Sequence, residues 1–424
     1  MINSLRRFRG RLLKSTFSSL TVPDFRNFYA GQFLSFTGTW MRRTALGWLV
    51  FEKTQSYEVL GHVSALLVLP LLLFAPFAGM LADIFPKRRL IFITNFFLAL
   101  FSFLLAICVG LDWINIPLLY VLAFCSGTAF AFEVPARQSF IKELIGKEKL
   151  LNGIALNSAS VNLSRILGPL FAGLILALGP IGYVLVFTLD ALSYVVVMLT
   201  LRVIRAEGLP LKQTQYGLAY FREGFHTVYR LKPIFFTILL LLVLGIFGWS
   251  YQTLLPGIVQ EQFQFKANNA HILGLLMALF GVGASVGAIL VATFHHQLNA
   301  RRSLYVGLSV LSFTLLVMGM FPNYLLFCAL QLPAGFGSIF FLSTANTVIQ
   351  LRVPDEVRGR VMGIWSLAFG GSIPLGSWLI GYAAEWFGPF ESIVAFGVIL
   401  FAFLHAVVYW QYRSTSAAEH TEQA

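Results

Sequence analysis

What most constrains this chain is a succession of apolar runs, each about twenty residues or longer, parted by short polar joints. Backbone amides find no water inside a bilayer, so a chain that crosses one does so as helix or as closed barrel. About 20 apolar residues give a helix that spans roughly 30 Å of hydrocarbon. Twelve runs fit that length: 28–51, 59–82, 89–110, 116–138, 152–178, 181–203, 234–258, 271–294, 302–321, 323–349, 360–384 and 389–412. With 58% hydrophobic and only 11% charged residues the chain is no water-soluble globule, for which about a quarter charged is usual. The fold class these runs predict is an all-α membrane protein of twelve transmembrane helices.

The cations orient the spans. A net charge of +12 would suit a nucleic-acid ligand if it formed one face. Instead Lys and Arg gather in alternate joints, at 86–89, 142–149, 295–302 and 352–360, and only Lys53 and Lys266 fall in the others. Lys and Arg beside a span resist translocation, which makes the basic joints cytoplasmic. The opposite joints, 52–58, 111–115, 179–180, 321–323 and 386–388, are short. An even number of spans puts both termini in the cytoplasm. Residues 1–27 form a basic segment (Arg6, Arg7, Arg9, Arg11, Lys14), read as a membrane-surface anchor although a transit peptide shares that composition.

Only the joint 204–233 is long enough to separate two halves, 28–203 and 234–412, with 413–424 left as a tail. Within it Leu218, Phe221, Phe225, Val228 and Leu231 recur every three to four residues, with Arg222, Glu223 and Arg230 on other faces, the pattern of an amphipathic surface helix. Residues 147–154 and 357–364 resemble each other at an offset of about 210, which is consistent with six helices repeated as six.

Ionisable groups inside spans cost about 2.5–3.5 kcal/mol each on insertion scales, so they face a partner or an aqueous cavity. They concentrate in the first half: Arg42, Arg43, Glu133, Arg137, Arg165 and Asp190. Gln32, Ser35, Thr39 and Arg42 step by three and four along one face of helix 1, which would turn Arg42 to a cavity, unless it snorkels outward. Glu133 and Arg137, four apart, stack on one face of helix 4. Such a carboxylate can bind a proton in one conformation and release it in another, or can form a permanent ion pair. Helix 5 carries Ser158, Asn162 and Arg165 on one face, then Gly168, Pro169 and Gly173. Arg165 and Asp190 lie at similar depth and could neutralise each other. Small residues permit close packing and a proline bends the span, so Gly168-Pro169 reads as a gating bend or as plain packing.

In the second half Gln252 and Asn346 are the best candidates for substrate contact, ahead of Trp249, Tyr251 and Gln350. No nucleotide loop or hydrolase motif occurs, and His62, His226, His271, His295, His296 and His405 lack partners at ligand spacing. No enzyme activity, no cofactor and no metal is therefore expected. The three cysteines lie in apolar runs, as buried hydrophobes.

The joint Gly79-Met-Leu-Ala-Asp83-Ile-Phe-Pro-Lys87-Arg88-Arg89 resembles the loop between helices 2 and 3 of major facilitator superfamily transporters, with Ile84 in place of a cation and Pro86 in place of a glycine. Residues 25–50, 134–141, 151–173, 190–194 and 250–256 resemble the branch of that superfamily containing the bacterial enterobactin exporter and drug:proton antiporters. Glu133 stands where that branch more often has Asp. The resemblance implies two six-helix bundles rocking about a central site, in a bacterial inner-membrane exporter of a siderophore or drug-like compound. It assigns Gly79, Asp83, Lys87 and Arg88 to the cytoplasmic gate, with Asp83 facing Arg358 and Arg360, and reads Gly168-Pro169 as an antiporter feature. An importer, perhaps of a lysolipid, and a non-transporting receptor or scaffold are the alternatives. The partners expected are a small molecule, protons and lipid, with no nucleic acid, and the protein acts as a monomer.

Overall fold

The computed structural model describes residues 18–207, 218–263, 269–294 and 296–422. The basic residues up to 17, Lys266 and His295 lie outside the described residues. Among these residues the chain is helical and contains no strand.

Helices begin and end where the sequence supplies caps and breakers. The first six are α1 (Pro23–Thr54), α2 (Tyr57–Ile84), α3 (Lys87–Gly110), α4 (Ile116–Gly146), α5 (Glu148–Leu176) and α6 (Pro180–Val203). A short linker helix (Leu218–Arg230) follows, then α7 (Lys232–Gln262), α8 (Ala270–Phe294), α9 (Ala300–Met320), α10 (Tyr324–Arg352), α11 (Asp355–Phe387) and α12 (Pro389–Glu422). Asn115, Asn299 and Asn323 each cap a helix by accepting a backbone N–H three residues on. The basic joint 142–149 is not an open loop. Helix runs through it apart from Gly146, whose φ of 72° is a conformation glycine adopts without strain.

Among the described residues eleven of the twelve numbered helices are long and apolar enough to cross a membrane, all but α1. At 32 residues α1 has ample length, but its polar stripe and Arg42-Arg43 pair lower its hydropathy. The linker helix divides its apolar stripe between two surfaces. Val228 is buried while Phe225 and Tyr229 are exposed, and Gly224 rests on Arg360 and Ile364 of α11. The side chains of Leu218 and Phe221 lie outside the described residues.

The chain forms two compact units. Unit 1 holds the described residues up to Leu46 and from Leu73 to Glu207. Unit 2 holds Gly47–Leu72 and the described residues from Leu218 onward. The division falls inside α1 and α2, so the C-terminal end of α1 and the N-terminal part of α2 belong to unit 2.

Unit 1 has an apolar cluster at its basic end, where Phe25, Phe28, Ile91, Phe140, Leu144 and Leu201 meet. In unit 2, α7 departs from regular geometry. It passes through a π turn (Leu244–Gly248), a 3-10 turn (Ser250–Leu254) and a second π turn (Ile258–Gln262). Such turns interrupt the regular hydrogen-bond ladder and are frequent at functional sites.

Candidate transport site and gates

The polar stripe predicted on α1 is buried: Gln32, Ser35, Thr39 and Arg42 are all under 10% exposed. Arg42 ends it, with Nε 2.9 Å from Oδ2 of Asp190 on α6, an ion pair whose N–H is not aimed at the oxygen. The same Oδ2 accepts a 2.5 Å hydrogen bond from Ser102 Oγ of α3. One turn along α6, the Tyr194 hydroxyl lies 2.9 Å from Thr39 Oγ1, which itself donates to the Ser35 carbonyl. Three helices thus contribute to one network. Its geometry depends on Gly38: a Cβ there would lie 2.7 Å from Ser193 Oγ and 2.8 Å from Asp190 Oδ1. Asp190 Oδ1 and Gln32 Nε2 have no hydrogen-bond partner, so the network retains an acceptor and a donor.

The pairing of Arg165 with Asp190 is therefore corrected, because Asp190 is engaged by Arg42. Arg165 lies with its guanidinium 5.3 Å from the Trp40 ring, and Arg43 approaches the same ring at 5.5 Å and Phe130 at 5.6 Å. The Trp40 ring thus lies within cation–π reach of both guanidiniums. Glu133 and Arg137 meet as their spacing predicts, at 2.8 Å and both buried, with Arg137 4.6 Å from the Phe36 ring. Asn162 donates to the Ser158 carbonyl of its own helix. Gly168 seats α5 directly on α1, where a Cβ would meet Trp40 Cβ and the Thr37 carbonyl at 2.5 and 2.8 Å, and Pro169 follows inside the helix.

Lys87 is buried and its Nζ pairs with Glu143 of α4 at 2.5 Å. Arg88 donates to the Arg202 carbonyl at the end of α6. These two cations fasten the start of α3 to its neighbours in unit 1. Burial raises the proton affinity of Asp83, against the pull of Lys87 and Lys142. The space beside Gly79 is open. Arg360 is paired with Glu223 of the linker helix, and Arg358 donates to the Val353 carbonyl, so both have partners within unit 2.

In unit 2 the interior is aromatic. Trp249 makes edge contacts with Phe280 and Phe369, and the buried Tyr251 hydroxyl donates to Gln331. Gln252, one residue on, has an Nε2 without a hydrogen-bond partner. Asn346 accepts from Gln350. At the far end, one oxygen of Glu385 accepts from Ser56 Oγ and from the amides of Tyr57 and Glu58, and Glu261 accepts from the Tyr57 hydroxyl. Sequence reasoning missed Ser102, Glu143 and Glu385. Ser102 carries no signal, being one serine in an apolar run, while Glu143 and Glu385 stood at span ends, where acids are ordinary.

A family model for transmembrane secretion effectors, within the major facilitator superfamily, matches residues 14–424. The chain belongs to this family. Its members here are membrane transporters rather than enzymes, and the chain is a multi-pass membrane protein. It is 27% identical over 374 residues to a staphyloferrin A transporter of Staphylococcus aureus, covering 88% of this chain and 92% of that one. It is 26% identical to the multidrug efflux pump Tap of Mycolicibacterium fortuitum, covering 91% and 92%. It is 23% identical to an enterobactin exporter, EntS, of Shigella boydii, covering 92% of each. Among solved structures, the fold matches the nucleoside transporter NupG with a TM-score of 0.74 at 13% identity, over 91% of this chain and 98% of that one. A bacterial homologue of the lysosomal transporter Spinster gives 0.73 at 15%, over 92% and 97%.

Proposed function

We propose that the protein exports a small amphiphilic molecule, a siderophore or a drug-like compound, in exchange for protons. In this reading α1 completes twelve crossings, both termini are cytoplasmic, and two six-helix bundles, 28–203 and 234–412, rock about a central site in the bacterial inner membrane. The relatives named above, two siderophore transporters and a drug pump, support the substrate class.

The observation that carries the coupling is the pair of buried acids in unit 1. Asp190 is held by Arg42 and Ser102, and Glu133 by Arg137. A carboxylate between one cation and a low-dielectric surround is held in a balance that a change of neighbours tips. If rocking separates Asp190 from Arg42, or Glu133 from Arg137, the acid takes a proton; restoring the pair releases it. Gln32, Thr39, Asn162, Arg165, Gln252 and Asn346 supply polar contacts to the substrate, and Asp83, Lys87 and Arg88 steady the cytoplasmic gate.

The test is efflux from everted vesicles with and without a pH gradient, substrate being chosen from catecholate and carboxylate siderophores and cationic dyes. Glu133→Gln should abolish gradient-driven transport at unchanged protein level, whereas wild-type drive in both Glu133→Gln and Asp190→Asn would remove proton coupling from the account. Asp83→Asn should slow turnover more than it weakens substrate binding.

A further inference from the structure

Within unit 2 a cavity of about 270 Å³ opens where the first turns of α7 and α9 meet the last turn of α10. Each helix contributes one exposed cation to its rim, Lys232, Arg301 and Arg352, above a buried floor of Phe236, Leu240 and Leu304. Among the described residues none of the three cations is in an ion pair. Lys232 lies 4.6 Å from the Tyr229 ring and Arg301 5.8 Å from that of Tyr305. Within α7, Glu261 stands at the opposite end from Lys232; Glu385, at the far end of α11, caps α2 at Ser56–Glu58. Three cations converging on one opening repel one another unless an anion sits between them.

What surrounds the opening says which anion. A second cavity of about 310 Å³ shares Ala300, Val348 and Arg352 with the first and continues over Val291, Leu298 and Leu351. Leu351 itself is 75% accessible, and on the adjoining helices Phe294 of α8 and Val306 of α9 are exposed apolar side chains at 41% and 49%, as residues against acyl chains are. A charged rim, an adjoining apolar trough and a lipid-facing surround fit an amphiphile that lies in the bilayer. Basic pockets between transmembrane helices at the cytoplasmic level recognise anionic headgroups by these means.

We propose that this cavity binds an anionic phospholipid of the adjacent leaflet, its phosphate held among Lys232, Arg301 and Arg352 and one acyl chain along the second cavity. A zwitterionic choline lipid would bring a further cation to the rim and is disfavoured.

The purified full chain in detergent, titrated with phosphatidylglycerol or phosphatidylcholine and followed by native mass spectrometry, tests the assignment. Phosphatidylglycerol should be retained in preference. The triple variant Lys232→Gln, Arg301→Gln, Arg352→Gln should weaken retention about a hundredfold, roughly fivefold per cation at about 1 kcal/mol each. A triple variant with Lys232→Arg, Arg301→Lys and Arg352→Lys should retain it, as should Arg222→Gln on the linker helix. Should the neutral triple variant fail to fold, the three single substitutions and a photoactivatable phosphatidylglycerol on the wild type replace it, with crosslinks expected on α7, α9 and α10. Equal retention of the two lipids, wild-type retention by the neutral variants, or crosslinks confined to other helices would overturn the proposal. Displacement of the lipid by millimolar glycerol 3-phosphate, with the same dependence on the three cations, would make the ligand a soluble phosphoester and overturn it too.

Discussion

Unit 1 buries Arg42 against Asp190 and Glu133 against Arg137 within its helices, whereas unit 2 keeps Glu261 and Glu385 at helix ends and fills its interior with Trp249, Phe280, Phe369 and the Tyr251–Gln331 pair. The backbone follows the opposite pattern. The charged unit uses continuous helices apart from Gly146, and the aromatic unit accommodates two π turns in α7. Rings can fill the space beside an irregular backbone because each buries a large apolar area. Ion pairs in hydrocarbon need the fixed distances that regular helices provide, since misalignment leaves a charge uncompensated. The difference leaves the buried ion pairs with unit 1 and the aromatic interior with unit 2, which is the division of labour the proposed function draws on.

The sharpest way to break that contrast is to leave one charge of unit 1 alone. Asp190→Asn should cost about 3–5 kcal/mol by stranding Arg42, read as thermal unfolding in detergent, and the double variant Arg42→Gln, Asp190→Asn should recover most of it. Backbone approach comes next. Gly38→Ala should destabilise by about 1–3 kcal/mol because its Cβ meets Ser193 and Asp190, while Gly79→Ala, which meets open space, should stay within about 0.5 kcal/mol in the same assay. In unit 2 the charge at stake is a cap, so Glu385→Gln, removing the carboxylate that receives the first amides of α2, should cost only about 1 kcal/mol. The smallest effect is one of pH. Burial lifts the Asp83 proton affinity, so the folded state binds the proton more tightly than the unfolded one. Stability then falls as pH rises from the ordinary carboxylate value to the raised one, and Asp83→Asn should flatten that slope in unfolding measured across acid pH.

The apolar runs and the basic joints were legible in the sequence because hydrocarbon thickness and resistance to translocation act on local stretches of chain. Eleven of the twelve spans meet that test in the structure, and α1 falls short because its buried polar stripe and the Arg42-Arg43 pair make it polar. The Glu133–Arg137 pair was equally legible, since its partners sit one turn apart on a single helix. The partner of Asp190 was not. Depth suggested Arg165, but the partner is Arg42, because Gly38 lets α6 close on that part of α1. Likewise the pairing of Lys87 with Glu143 and the three donors on Glu385 join residues far apart in the chain. The sequence by itself determined which segments are helices, which of their ends carry the cations and which unit carries the buried charge. Only the tertiary structure decided which charges meet, because that depends on how closely two backbones approach, and a residue as small as glycine controls it.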